Sequence, residues 1–433
     1  MENRGKDWRT ILLSVSSLGG ALSAFVFALL IMVYAIFGAF HPDPAQTGTT
    51  ILQNVVIASG ILFTGAIFLP SLYYSIQRLR GKEMPEAAPK ILKIWQGFLL
   101  LLMWAGAAEL AQLLVNNDIL KWLTPPLYLM AIGTPVYFLV RLASGGLIAG
   151  SRQRFWGVLA TGIALGVTLA MIIEVMLVLL GLVVGAAYLA LHPVLIAAVK
   201  QITDQIRNGS SIDSVLQEVG PWLNNPLAFL LALLIFSGIT PAIEEMSKSL
   251  AVWTVFDHLN SPAQGFVLGA LSGAGFGLVE SLLASATPDS SWAATLLVRG
   301  GSTMMHIMTA SLTGWGIAAL HNVHLGSGRE VRLIGIYALA IAMHGLWNAS
   351  VVLIAFGSLR IPSSTLSPDR LGTIMVFFGI SILILLCLTI PVALGTINKR
   401  LRTAIPIVPS SSLENVPNLP STDDKGEKWN GVQ

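Results

Sequence analysis

Pro226-Leu-Ala-Phe-Leu-Leu-Ala-Leu-Leu-Ile-Phe-Ser-Gly-Ile-Thr-Pro241-Ala-Ile-Glu244-Glu245-Met-Ser-Lys248 reads as a membrane span interrupted by two acids and a lysine. A charge at the bilayer centre costs roughly 2.5–3.5 kcal/mol on the gentlest scales. Two adjacent carboxylates add like-charge repulsion, so they need partners or a water-filled cavity. Glu280, His306 and His344 follow in later apolar stretches. The pattern is that of a polar site inside a membrane.

The rest of the chain fits that setting. Charged residues make up 11% of 433 positions and apolar ones 54%, against about 25% charged in a soluble domain. Apolar segments fall near 15–40, 51–74, 94–115, 123–142, 156–188, 226–255, 263–285, 296–320, 333–356 and 371–396. The expected fold is an all-α, polytopic transmembrane bundle of about ten spans of ~20 residues each.

Basic residues cluster at the N-terminus, at Arg78–Lys93, at Arg141–Arg154, at Arg329 and Arg332, and at Lys399–Arg402. With ten spans all of these lie on one side, which the positive-inside rule makes cytoplasmic, giving N-in and C-in. Clustering of basic residues between spans gives no nucleic-acid signature. One cysteine, Cys387, excludes an intrachain disulfide and a cysteine-rich metal site. The first apolar run exceeds a signal-peptide core and lacks a clear cleavage site, so an uncleaved anchor is expected.

Four regions follow: a five-span region of unknown role over 1–190, an extracytoplasmic loop over 191–225, a core over 226–400 and a disordered tail over 401–433. Lys200–Arg207 and Ser214–Val219 have helical apolar spacing with polar faces, which suits short interfacial helices. Trp122, Tyr128 and Trp292 near span ends suit interface anchoring.

At i,i+4, Glu244 and Lys248 share a helix face and can pair. Glu245 is rotated by about 100°, which makes it the better candidate for activating water. Pro241 should loosen the helix beside it, a break tolerated where backbone lines a cavity. Gly265, Gly269, Gly273 and Gly277 repeat every four residues and permit close helix approach. Arg299, Ser302 or Thr303, His306, Thr309 or Ala310, and Thr313 recur at helical spacing as a polar stripe on the next span, and His344 and Asn348 share a face one turn apart.

Such a set can activate water with a Glu as general base and His or Asn donors stabilising an oxyanion. Alternatively, His306, His344 and Glu280 can bind Zn²⁺ with another Glu as base. No His-Glu-x-x-His motif is present, so the set admits a metal without demanding one. A proton- or ion-coupled transporter could also use midplane Glu, Lys and His residues, but the cluster is confined to the second half and no inverted repeat accompanies it. Glu109 and Glu174 are further intramembrane acids, expected to hydrogen-bond to neighbouring helices.

Glu244-Glu-x-x-Lys248, Phe276-x-x-x-Glu280, the isolated His306 and His344-x-x-x-Asn348 resemble, in order and spacing, the motifs of the PrsW family of intramembrane proteases. The related type II CAAX prenyl proteases carry Glu-Glu-x-x-x-Arg and Phe-x-x-x-His, from which this chain departs at Lys248 and Glu280. The resemblance covers roughly residues 225–400. It implies hydrolysis of peptide bonds in membrane-anchored regulatory proteins such as anti-sigma factors, at a multi-pass site in the cytoplasmic membrane. The implied catalytic residues are Glu244, Glu245, Lys248, Glu280, His306, His344 and Asn348.

Overall fold

A computed structural model describes residues 8–40, 48–207, 225–289, 291–320, 328–360 and 369–404. The Asn208 turn, the Ser214–Val219 segment and the tail beyond 404 lie outside these residues. Eleven helices run in order: α1 (Trp8–Phe40), α2 (Gly48–Leu79), α3 (Ile94–Leu114), α4 (Thr124–Ser144), α5 (Arg152–Ala190), α6 (Pro193–Arg207), α7 (Pro226–Trp253), α8 (Pro262–Ala284), α9 (Trp292–Ala319), α10 (Arg329–Leu359) and α11 (Arg370–Thr403). Among the described residues no strand forms beyond a single bridge between Glu86 and Ser151. The all-α membrane bundle read from the sequence is the architecture observed.

Among the described residues nine helices are long and apolar enough to cross a membrane. The tenth expected span is α9, which has the length but not the apolar average because of its polar stripe. Most of α9 is buried inside the bundle, His306 and Thr309 included. A helix that meets other helices rather than lipid does not need an apolar surface.

Local sequence sets where the helices start. Asn225 and Ser261 cap α7 and α8 by accepting from Leu227 N and Gln264 N, each followed by a proline at the first helical position. Two helices depart from α geometry: α5 carries a π turn at Gly162–Val167 and α7 one at Ile235–Ile239. The second precedes Pro241, which has no N–H to offer the Ser237 carbonyl, so the loosening expected at that proline is present.

Two aromatic residues serve differently from the expectation. Trp122 is exposed, but Tyr128 and Trp292 are fully buried. Tyr128 OH donates to the Leu282 carbonyl at 2.5 Å and Trp292 Nε1 to the Ser285 carbonyl at 2.8 Å. They satisfy carbonyls at the C-terminal end of α8, where intrahelical donors run out, instead of anchoring at the interface.

Among the described residues, α8 and α9 approach each other closely along the glycine stripe. A Cβ on Gly269 would collide with the Ala310 carbonyl, and one on Gly273 with the His306 carbonyl. Without side chains on that stripe, α9 lies backbone to backbone on α8. Gly269→Leu is therefore expected to lower stability by at least the ~1–3 kcal/mol of ordinary overpacking, whereas Gly19→Ala, where nothing lies within 4 Å, leaves it unchanged or raises it. Thermal midpoints in detergent check this, and equal midpoints for the two variants would contradict the packing.

Candidate active site

The glycine stripe and the two π turns bring four spans together at one place. Gly273 and Gly277 let α9 close on α8, which sets His306 beside Phe276 and Glu280; the His306 and Phe276 rings are 5.4 Å apart. Gly345 does the same on α10, because a Cβ there would strike the Ser237 carbonyl released by the π turn and Pro241. That approach sets His344 against α7. Gly166, in the α5 π turn, rests on the same helix, its ideal Cβ 3.5 Å from Ser247 O and 3.7 Å from Lys248 Cα.

Lys248 Nζ lies 2.8 Å from Glu245 Oε1 and 3.3 Å from Glu244 Oε2. The expected pairing of Lys248 with Glu244 alone is thus corrected. The i,i+3 neighbour is as reachable on a helix as the i,i+4 one, and the lysine bridges both acids with the shorter contact to Glu245. Its ammonium also sits 4.6 Å from the centre of the Phe276 ring, a cation–π contact strengthened by exclusion of water. Ser272 Oγ donates to the Lys248 carbonyl at 2.5 Å, tying α7 to α8.

Each histidine has one nitrogen against a carboxylate and the other turned inward. His344 Nδ1 is 2.8 Å from Glu245 Oε1, and its Nε2 is 3.7 Å from Glu244 Oε2. His306 Nε2 is 2.5 Å from Glu280 Oε2, close but short of an aligned hydrogen bond, and its Nδ1 is 3.9 Å from Glu244 Oε2. A carboxylate stands at the outer nitrogen of each ring, where it favours the ring proton. The two inner imidazole nitrogens and one carboxylate oxygen face a common point.

These three donor atoms, on Glu244, His306 and His344, lie within 4.8 Å of one another, and all three residues are buried. Glu244 Oε2 and His306 Nδ1 have no hydrogen-bond partner. Zinc bonds of about 2.0–2.1 Å at tetrahedral angles put ligand atoms about 3.3 Å apart, slightly closer than the 3.7 and 3.9 Å found here. Three inward-facing acceptors, of which Glu244 Oε2 also meets Lys248 Nζ at 3.3 Å, fit a cation, and carboxylates behind both imidazoles are the usual support of a metal-bound histidine. Glu280, taken from the sequence as a possible ligand, instead stands behind His306, and Glu244 fills the third inward position.

Asn348 is near the cluster but does not orient either imidazole. Its Nδ2 donates to the Phe236 carbonyl at 2.8 Å, a group that the α7 π turn leaves available. It links α10 to the loosened part of α7. Arg299 has the role that sequence spacing did not reveal: its Nη2 is 2.9 Å from Glu280 Oε1. The signal was present as an arginine within a span, but its partner sits on another helix. Glu109 and Glu174 do not form the expected interhelical hydrogen bonds; Glu109 is exposed, and Glu174 Oε1 is buried without a partner.

Residues 150–385 match the family described as PrsW family intramembrane metalloprotease, over half of the chain. The chain belongs to the PrsW family. It is accordingly a multi-pass membrane peptidase, and the match takes in all seven residues read as catalytic from the sequence. No curated protein and no solved structure matches the chain. The PrsW match begins at the start of α5, so the helix whose π turn supports Lys248 falls within it.

Lys248→Met would leave the Glu244 and Glu245 carboxylates buried without their shared counter-charge. Removal of one partner from a buried ion pair costs about 3–5 kcal/mol, so a marked fall in detergent thermal midpoint is expected. Lys248→Met/Glu245→Gln should recover part of it. A double variant no more stable than the single one would show that the acids do not depend on Lys248.

Proposed function

We propose that the reacting centre is formed by Glu244, His306 and His344, that it takes a divalent metal of the zinc kind, and that it cleaves a membrane-anchored protein. The observation that carries this is the three inward-facing, buried donor atoms, each imidazole backed by its own carboxylate. Glu244, His306 and His344 would hold the ion. Bound there, it supplies a Lewis acid that acidifies water and polarises a carbonyl.

The protein's own groups divide the remaining work. Glu245, favoured by sequence spacing as the water-activating acid, is fully buried and its Oε1 meets both Lys248 and His344. It is a positioning residue that fixes the His344 tautomer. Glu280 is the reachable acid, with its side chain 34% exposed. Its Oε2 backs the outer nitrogen of His306 and its Oε1 meets Arg299, so it positions His306 as Glu245 positions His344. Arg299 holds Glu280 in that position. Asn348 acts through the backbone, holding α10 against α7.

A site set among spans requires the scissile bond to come into or beside the membrane. The substrate is therefore a protein with a membrane-anchored segment, and regulatory proteins of the anti-sigma-factor kind suit that requirement. The basic ends of the helices support an N-in, C-in arrangement in the cytoplasmic membrane. Within this scheme, residues 1–190 are a membrane region preceding and partly entering the core, 191–225 an extracytoplasmic loop, and 226–400 the catalytic part.

The test uses the full chain reconstituted in liposomes with a panel of single-span membrane proteins, cleavage products being read by mass spectrometry. Wild type is expected to give products that a chelator abolishes. His344→Ala and Glu244→Gln should lose both cleavage and metal content measured on the purified protein. Glu280→Gln and Glu245→Gln, each removing the carboxylate behind one imidazole, should each weaken metal retention by about 10–100-fold. Metal content unchanged in His344→Ala would remove the proposed ligand set. Glu244-dependent proton flux without cleavage would favour a transporter.

A further inference from the structure

On the side of the membrane where α1 starts, a second feature lies apart from the Glu–His cluster. The start of α1, the end of α2, the start of α5 and the end of α7 enclose a cavity of about 550 Å³, within the range that accepts a small-molecule ligand. None of Glu244, Glu245, Lys248, Glu280, His306 or His344 lines it. Three arginines from three helices do: Arg9, Arg78 and Arg154. Leu12, Leu165 and Trp253 line it as well, each large, apolar and exposed.

Three guanidiniums meet at this cavity: Arg9 pairs with Asp257 at 2.7 Å, and Arg154 Nη1 donates to the neutral His258 carbonyl at 2.8 Å. His258, at the rim and outside the spans, reports the local field. Its imidazole is held below its ordinary pKa, by burial first and then by the guanidinium charges of Arg154, Arg9 and Arg78, with Asp257 acting in the opposite direction. Cationic groups at span ends above apolar walls open to lipid match the two parts of a phospholipid. Basic pockets between spans are a recurrent way to hold anionic headgroups.

We propose that this cavity binds an anionic phospholipid of the leaflet on the basic side of the membrane. Its phosphate would meet Arg9 and Arg154, and an acyl chain would run along the Leu12 and Leu165 wall. The wall includes part of the α5 π turn, whose Gly166 packs on Ser247 and Lys248. An occupant here therefore touches the same turn that supports the catalytic helix.

The full chain, delipidated in a neutral detergent, is titrated separately with dioleoyl phosphatidylglycerol, dioleoyl phosphatidylcholine and inorganic phosphate. Thermal midpoint and bound lipid by native mass spectrometry are read. Phosphatidylglycerol should bind at least tenfold more tightly than phosphatidylcholine and raise the midpoint, with phosphate alone giving little. Arg9→Gln/Arg154→Gln should lose the preference. Ala164→Trp, which fills the cavity wall without changing charge, should weaken phosphatidylglycerol binding while leaving the protein monodisperse.

Equal binding of the two lipids would overturn the proposal, as would an undiminished preference in the arginine variant. An equal response to inorganic phosphate would assign the cavity to a free anion, and competitive displacement of the lipid by a cleaved substrate would assign it to substrate. If the arginine variant does not fold, full phosphatidylglycerol binding by Ala164→Trp overturns the proposal on its own.

Discussion

Burial of charge inside a membrane is the constraint on which the structure depends. Glu244, Glu245, Lys248, Glu280 and Arg299 are all carried by spans, and the first three are buried. None is affordable alone in an apolar medium. The chain meets this by contact: Lys248 between two acids, Arg299 on Glu280, and each histidine on a carboxylate. What remains uncompensated is small and directed, a few acceptor atoms facing one point. That remainder is where a metal or a reacting water has the most to gain.

The backbone is shaped to make these contacts. Glycines on α8 and α10 remove the side chains that would keep His306 and His344 away from their acids. The π turn and Pro241 in α7 release carbonyls that Asn348 and Gly345 then approach. Close packing and broken helical geometry are thus parts of one arrangement, in which α7 supplies the acids and its neighbours are drawn onto it. The α5 π turn extends that arrangement toward the basic side, where the arginine-lined cavity shares the same segment.

Much of the fold and the membership of the site were legible in the sequence. Helix positions followed from apolar runs of sufficient length, with α9 visible despite its polar stripe because its apolar residues still recur around it. The polar residues of the site stood out because each is costly in a span and therefore needs a reason to be there. Roles were less legible. Spacing along α7 made Glu244 the partner of Lys248 and Glu245 the reactive acid, whereas the lysine lies nearer Glu245. Tyr128 and Trp292 looked like interface residues because their sequence positions near span ends do not show that α8 ends beside them.

The sequence by itself determined that the chain is a helical membrane bundle, where its spans run, and which side chains must find partners within it. These are properties of one helix at a time, set by the cost of unpaired backbone and charge in lipid. Only the tertiary structure decided which acid backs which imidazole, that Glu244 turns inward while Glu280 stands behind His306, and that Arg299 belongs to Glu280. Those outcomes depend on how helices rotate and approach one another. Distances of an ångström between different spans, set by glycine contacts and local π turns, separate a ligand from its support.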